Sequence, residues 1–300
     1  MMSSRLNNSF IFFTILTVGA AGQPLDQRVG ASVTGFPATV SIHAKNLRSG
    51  AAFSLRADEP VRTASTIKLP IMAAVFAAVA DGKASWPERI TLRIADKVSG
   101  SGVLTEFSDG VAFPIRDLVH LMIVVSDNTA TNLLLDRFTP DLVNHYLAGL
   151  GLARTRSLRK VRGDGSNLKA PSGWSVEGRK PENERFGIGV STPREMVLLL
   201  EKLERGEVVS ADVSREMVSI LRRQQYKDGI GRWLRWPVAS KSGALDALRS
   251  DVGLVYCDGG PVALAITVDG MPQTDYSADN RGNQLIADLA RTLVEGLAPR

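Results

Sequence analysis

The sequence predicts an α/β fold of the α+β kind, with a sheet made from both ends of the chain and a helical region inserted between its halves. Two observations predict it. Hydrophobic periodicity gives two strands, a block of helices, three strands and a terminal helix, in that order. With 300 residues and 44% hydrophobic content, the chain can also bury the sizeable core of one or two domains. The expected division is a signal peptide over 1–22, a sheet domain from 30–63 and 224–300, and a helical insertion over 64–223 that carries a long active-site loop at 153–190.

The first segment reads as an export signal. Arg5 is the only charge in the first twenty residues, Ser9 to Val18 is mostly apolar, and Val18-Gly19-Ala20 offers small residues for cleavage. The apolar stretch is short for a transmembrane span, and no other segment is long and apolar enough to be one. A periplasmic or secreted protein is expected, without stable membrane association after cleavage. Strands then follow at Thr39–Ile42 and Ala51–Leu55, turned by Asn46–Gly50. A helix over Ser65–Ala80 is capped by Asp81-Gly82, with Pro70 expected to kink it. Glu88–Ile94 reads as extended. Asp117 is the expected N-cap of a helix through Val125, interrupted by Ser126-Asp127-Asn128 and resumed over Thr129–Phe138. Helices follow at Asp141–Leu150, Thr192–Arg205 and Asp212–Arg223. Between them, Ala153–Gly189 is polar, Gly-rich and without period, the mark of a functional loop. Strands return at Val238–Ser242, Asp251–Cys257 and Val262–Val268, and a helix over Ala278–Leu297 closes the chain.

Charge and composition exclude several classes. The net charge of +5 becomes +4 without Arg5 and is spread thinly. Its densest cluster, Arg154 to Arg162, lacks the interleaved aromatics of a nucleic-acid site, so no nucleic-acid partner is expected. The single cysteine, Cys257, leaves no internal disulfide and reads as a small buried hydrophobe. His43, His120 and His145 have no metal-ligand spacing, and there is no phosphate-binding glycine loop or Gly-x-Ser-x-Gly elbow. Neither metal nor cofactor is implied, and a monomer is expected.

Three short motifs carry chemistry. In Ala64-Ser65-Thr66-Ile67-Lys68-Leu69-Pro70, Ser65 and Lys68 sit three apart, on one face of a helix. A serine hydroxyl needs a neighbouring base to act as nucleophile, and a lysine serves only if burial or another cation lowers its pKa. The all-apolar run Ile71–Ala80 marks a buried helix, so desolvation of Lys68 is expected. The pattern alone is weak, since it recurs at Ser157/Lys160 and Ser166/Lys169. Ser126-Asp127-Asn128 offers a hydroxyl that can relay a proton and an amide that can grip a carbonyl, or simply an N-cap. Lys241-Ser242-Gly243 suits a carboxylate laid along a strand edge, or an edge lysine that guards against aggregation.

Together and in this order, the three motifs resemble those of the penicillin-recognising serine enzymes, and their intervals look like those of the class A β-lactamase family. The resemblance covers residues 30–297 and includes Thr129-Ala130-Thr131-Asn132 and Thr192-Pro193. It implies an antiparallel five-stranded sheet flanked by terminal helices. It implies Ser65 as the acylated nucleophile, Lys68 as its base, and Ser126 as proton shuttle to the β-lactam nitrogen. Asn128 would bind the substrate amide, and Lys241 and Ser242 its carboxylate, with Gly243 and Ala244 along the same strand and Arg249 adding to the carboxylate site. The N–H groups of Ser65 and Ala244 would form the oxyanion hole. One departure stands out. Between Gly151 and Thr192 there is no Glu-x-x-Leu-Asn element, and Thr155–Val161 stands where the family brings its deacylating glutamate. Asp164, Glu177, Glu182 and Glu184 are the only acids in that loop. The expected activity is opening of β-lactam rings through a Ser65 acyl-enzyme, with a slowly deacylating penicillin binder and an esterase or D-Ala-D-Ala peptidase as alternatives.

Overall fold

The computed structural model describes residues 23–163 and 173–299. The signal expected over 1–22 and the Ser166/Lys169 pair lie outside them. Helix α1 (Leu25–Val33) leads to β1 (Thr39–Asn46), β2 (Ala52–Leu55) and β3 (Val61–Arg62). A 3-10 turn, Ala64–Ile67, runs into α2 (Lys68–Ala80), followed by β4 (Arg89–Thr91), β5 (Ala112–Pro114), α3 (Ile115–Val124), α4 (Asn128–Phe138) and α5 (Pro140–Gly149). Next come β6 (Arg156–Ser157), β7 (Gly189–Ser191), α6 (Pro193–Glu204) and α7 (Ala211–Arg222). The chain ends with β8 (Val238–Leu245), β9 (Leu248–Cys257), β10 (Gly260–Asp269) and α8 (Arg281–Leu297).

The five-stranded sheet has the order β2-β1-β10-β9-β8 and is antiparallel throughout. Both of its faces are covered. Val40, Ile42, Leu264 and Ile266 pack under α1 and α8, while Ala239, Val252, Leu254, Ala263 and Ala265 join the core of the helical block. Side chains alternate across a strand, so double coverage makes β9 and β10 near-continuous apolar runs. Helix α2 is buried on every side from Lys68 to Ala78. Each fully buried Leu or Ile in such a core contributes about 1.5–3 kcal/mol. Polar caps set the helix starts: the side chains of Asp127, Thr139, Thr192, Ser210 and Asn280 accept backbone N–H bonds at the heads of α4 to α8.

The structure departs from the sequence expectation in several places. Ser65 lies in the 3-10 turn, and the α-helix begins only at Lys68; a 3-10 turn nearly eclipses residues three apart, which keeps the two on one face. Pro70 falls in the first turn of α2, where a missing N–H is tolerated. Helix α3 starts two residues before Asp117, behind Pro114, and Asp117 adds its charge to the first turn. The described parts of the loop, 153–163 and 173–190, are more ordered than their composition suggests. Asn144 pairs with both backbone groups of Ser157, Asn132 with both of Val161, and Glu195 accepts from Arg154 N and the Thr155 hydroxyl. Amide side chains thus stand in for strand partners, and Leu158, Phe186 and Val190 form a small core beneath the loop. Helix α1, packed on α8, was not anticipated either.

Candidate active site

The site forms where the 3-10 turn, the α3–α4 break and edge strand β8 converge. Ala64 has φ +45° and Ser126 φ +54°, both non-glycine residues in the left-handed region, so the chain is bent sharply at each motif. Ser65 is half-buried and faces a cleft of about 230 Å³, also lined by Ser126, Ser242, Gly243, Ala244 and Arg249. Lys68 and Lys241 lie beneath its surface, fully buried, and Asn128 is 9% exposed.

The hydrogen bonds tie the three motifs together. Lys68 Nζ donates to the Ser126 carbonyl at 2.6 Å and to Asn128 Oδ1 at 2.8 Å, and lies 3.1 Å from Ser126 Oγ. Lys241 Nζ lies 3.1 Å from the same Oγ and donates to the Ser242 carbonyl at 2.8 Å. The Ser126 hydroxyl therefore bridges the terminal nitrogens of two lysines. None of these bonds joins Lys68 to the Ser65 hydroxyl, although the two share a face. Burial, reinforced by the nearby charge of Lys241 and opposed by Asp127, holds the Lys68 amine well below the usual lysine range. Burial also brings Lys241 down to about 7, against the opposing charge of Asp251. A desolvated amine of lowered pKa can accept a proton, and a hydroxyl shared between two such groups can pass one on.

Asp127 builds the break. One carboxylate oxygen caps α4 at Ala130 N, and the other accepts from Val103 N and Leu104 N, fixing the loop above the cleft. Asn128 also donates to the Ser99 carbonyl. One turn further along α4, Asn132 clamps Val161 at 2.8 and 2.9 Å, so the loop residue held against the motif helix is apolar. On the other wall, Gly243 lets β8 press against the Ser65 turn: a Cβ there would lie 2.9 Å from Ser65 N and 2.8 Å from the Thr63 carbonyl.

Arg249 lines the cleft, but its guanidinium donates to the carbonyls of Leu245, Leu248 and Asp275 and lies 4.9 Å from the Tyr276 ring centroid, so it is also a local brace. Sequence reasoning missed Ser101, Tyr226, Asp228, Asp251 and Tyr276, which also line the cleft. None of them carries a local motif.

A sheet of this order, its helical block and a cluster of half-buried Ser65 with buried Lys68, Ser126 and Lys241 beside an edge strand define a serine hydrolase of the β-lactamase type. The profile of the beta-lactamase enzyme family matches residues 24–297, and the chain belongs to that family, on the class A side. A β-lactamase of Rhodobacter capsulatus is 25% identical over 93% of this chain and 86% of its own length. A crystal structure of a β-lactamase from Sphaerobacter thermophilus superposes with a TM-score of 0.77 at 32% identity, covering 92% of this chain and 98% of that one. A point mutant of PBP-A, solved as its acyl-enzyme with penicillin G, has a TM-score of 0.75 at 26% identity over 90% and 95% of the two chains.

Proposed function

We propose that the protein opens β-lactam rings through an acyl-enzyme on Ser65. Lys68 takes the proton from Ser65, and Ser126, held between Lys68 and Lys241, delivers one to the departing nitrogen. Asn128 receives the substrate amide, Lys241 and Ser242 its carboxylate, with Arg249 behind them, and the N–H groups of Ser65 and Ala244 the developing oxyanion along Gly243. The observation that carries the reading is the fully buried Lys68, bonded to Ser126 and placed on the face of Ser65. The test is intact-protein mass over time after mixing with a penicillin. A transient adduct on wild type, absent in Ser65→Ala and followed by ring-opened drug, is the expected result. Turnover of a chromogenic cephalosporin by Ser65→Ala at the wild-type rate would end the proposal.

A second reading, in which the ester persists, is favoured by the clamp of Asn132 on Val161 in the segment where relatives bring a glutamate. A mass adduct that stays for hours distinguishes it. Export by the signal read over 1–22 completes the proposal, and N-terminal sequencing of the mature protein checks it.

A further inference from the structure

The Lys241 end of the cleft is backed by a carboxylate that none of the three motifs contains. Asp251 lies on β9, 1% exposed, in register with Ser242, while its neighbour Val252 is in register with Lys241. Because side chains alternate, Asp251 and Lys241 occupy adjacent strands on opposite faces of the sheet. Asp251 Oδ2 accepts the N–H of Ile230 at 2.9 Å, and the Ser240 hydroxyl and the Val252 N–H also face the carboxylate. A Cβ at Gly229 would come within 2.4 Å of Oδ2, so only glycine lets the preceding loop press its backbone onto the carboxylate. That loop forms the cleft wall with Tyr226 and Asp228.

We propose that Asp251 is a positioning residue for the carboxylate end of the substrate site: from the face of the sheet that it shares with Ser242 it keeps Lys241 cationic and pins the loop that walls the same end of the cleft. The inference rests on the acyl-enzyme reading of Ser65. The neighbourhood leaves Asp251 as the charge suited to this task. Strand β8 brings Lys241 to it, β9 itself brings Arg249, and the loop brings Lys227, Asp228 and Arg232. Arg249 is committed to three carbonyls and Arg232 to the Ala278 carbonyl and Asp279. Helix α8 contributes Asn283 and Ile286 to the cleft, and β10 pairs Ile266 with Asp251; none of these titrates. Around Lys241, α2 supplies Lys68, whose charge works against a second cation, and α4 supplies Asp127, which favours the Lys68 ammonium. Asp251 is the charge that offsets burial at Lys241. Burial in turn raises Asp251 to about 7, so its support is present above that range and fades below it.

The experiment measures acylation of Ser65 against pH with two substrates, a penicillin bearing its carboxylate and a neutral activated ester. In wild type, acylation by penicillin is expected to decline as Lys241 loses its proton, with no matching decline for the ester. Asp251→Asn keeps an acceptor for Ile230 N–H but cannot ionise. Its penicillin limb should move to lower pH by about one unit, as for loss of an opposite charge nearby, a drop of about tenfold above the limb. The variant should match wild type in mildly acidic solution, and its ester profile should not move. Equal loss on both substrates at every pH would mean a merely structural residue and overturn the inference. If Asp251→Asn does not fold, the wild-type comparison still decides, since identical limbs for penicillin and ester overturn it too. Absence of any Ser65 adduct would instead bring down the acyl-enzyme reading and this inference with it.

Discussion

Replacing Gly243 by alanine tests how closely edge strand β8 must approach Ser65, the proposed nucleophile. The new Cβ would lie 2.9 Å from Ser65 N, 2.8 Å from the Thr63 carbonyl and 3.1 Å from Ala64 Cβ. Ordinary contact begins at 3.4 Å, so strand and turn must part by about 0.5 Å along the line that aims the Ser65 N–H at the cleft. Gly243 is not in the left-handed region, so alanine brings no backbone strain and the effect is purely one of space. Removing an oxyanion donor outright costs about 10²–10³ in rate, and a half-ångström displacement should cost the lower figure, about 100-fold in acylation. Crowding of this kind also destabilises by about 1–3 kcal/mol, or about 2–4 °C of Tm for each kcal/mol in a chain of this size. Quenched-flow mass spectrometry of the penicillin adduct gives the rate, and thermal unfolding reports the fold. A folded Gly243→Ala that acylates within about threefold of wild type would refute the assignment of β8 to the oxyanion wall.

Two further outcomes are expected. Asn132→Ala removes two buried hydrogen bonds from Val161, each worth about 0.5–1.5 kcal/mol, so the Tm should fall and the 153–163 segment should become an early site of proteolysis, read by limited digestion. Stability should rise with pH between about 7 and 10.5. The unfolded chain keeps the Lys241 proton up to the latter value, whereas the folded chain releases it from the former, so the unfolded state binds more protons across that window. Lys68 acts in the same direction, and Asp251 in the opposite one at lower pH, where the folded chain holds the extra proton. Tm measured across the window should rise less steeply in Lys241→Met.

The parts of the molecule legible in the sequence were those specified by neighbours in the chain. Ser65 with Lys68, Ser126 with Asn128, and Lys241 with Ser242 are each local patterns, and the apolar α2 announces its own burial. The five antiparallel strands of the sheet followed from periodicity together with family resemblance, and their order in the sheet did not. What escaped notice depends on distant partners. Helix α1 has a single buried residue, Val29, so its pattern is weak and its packing on α8 supplies the missing context. Strands β3, β6 and β7 are two or three residues long, too short for a period. Strand β9 reads as starting at Asp251 because Arg249, Ser250 and Asp251 are polar, yet all three are buried within it. The Asn132–Val161 clamp joins positions 29 apart, and neither residue type signals the other.

The left-handed backbone at Ala64 and Ser126 has a consequence for how such a protein can change. A non-glycine residue in that region costs on the order of 1–3 kcal/mol, and two of the five described here sit beside the proposed nucleophile and in the proposed proton relay. Relaxation there is the most direct route to a tougher molecule, and it is also the route that loosens the two bends on which the proposed chemistry depends. A lineage under pressure for heat resistance would therefore have to gather its gains elsewhere, in the α1–α8 contact or the surface ion pairs, and carry these two strained residues along unchanged.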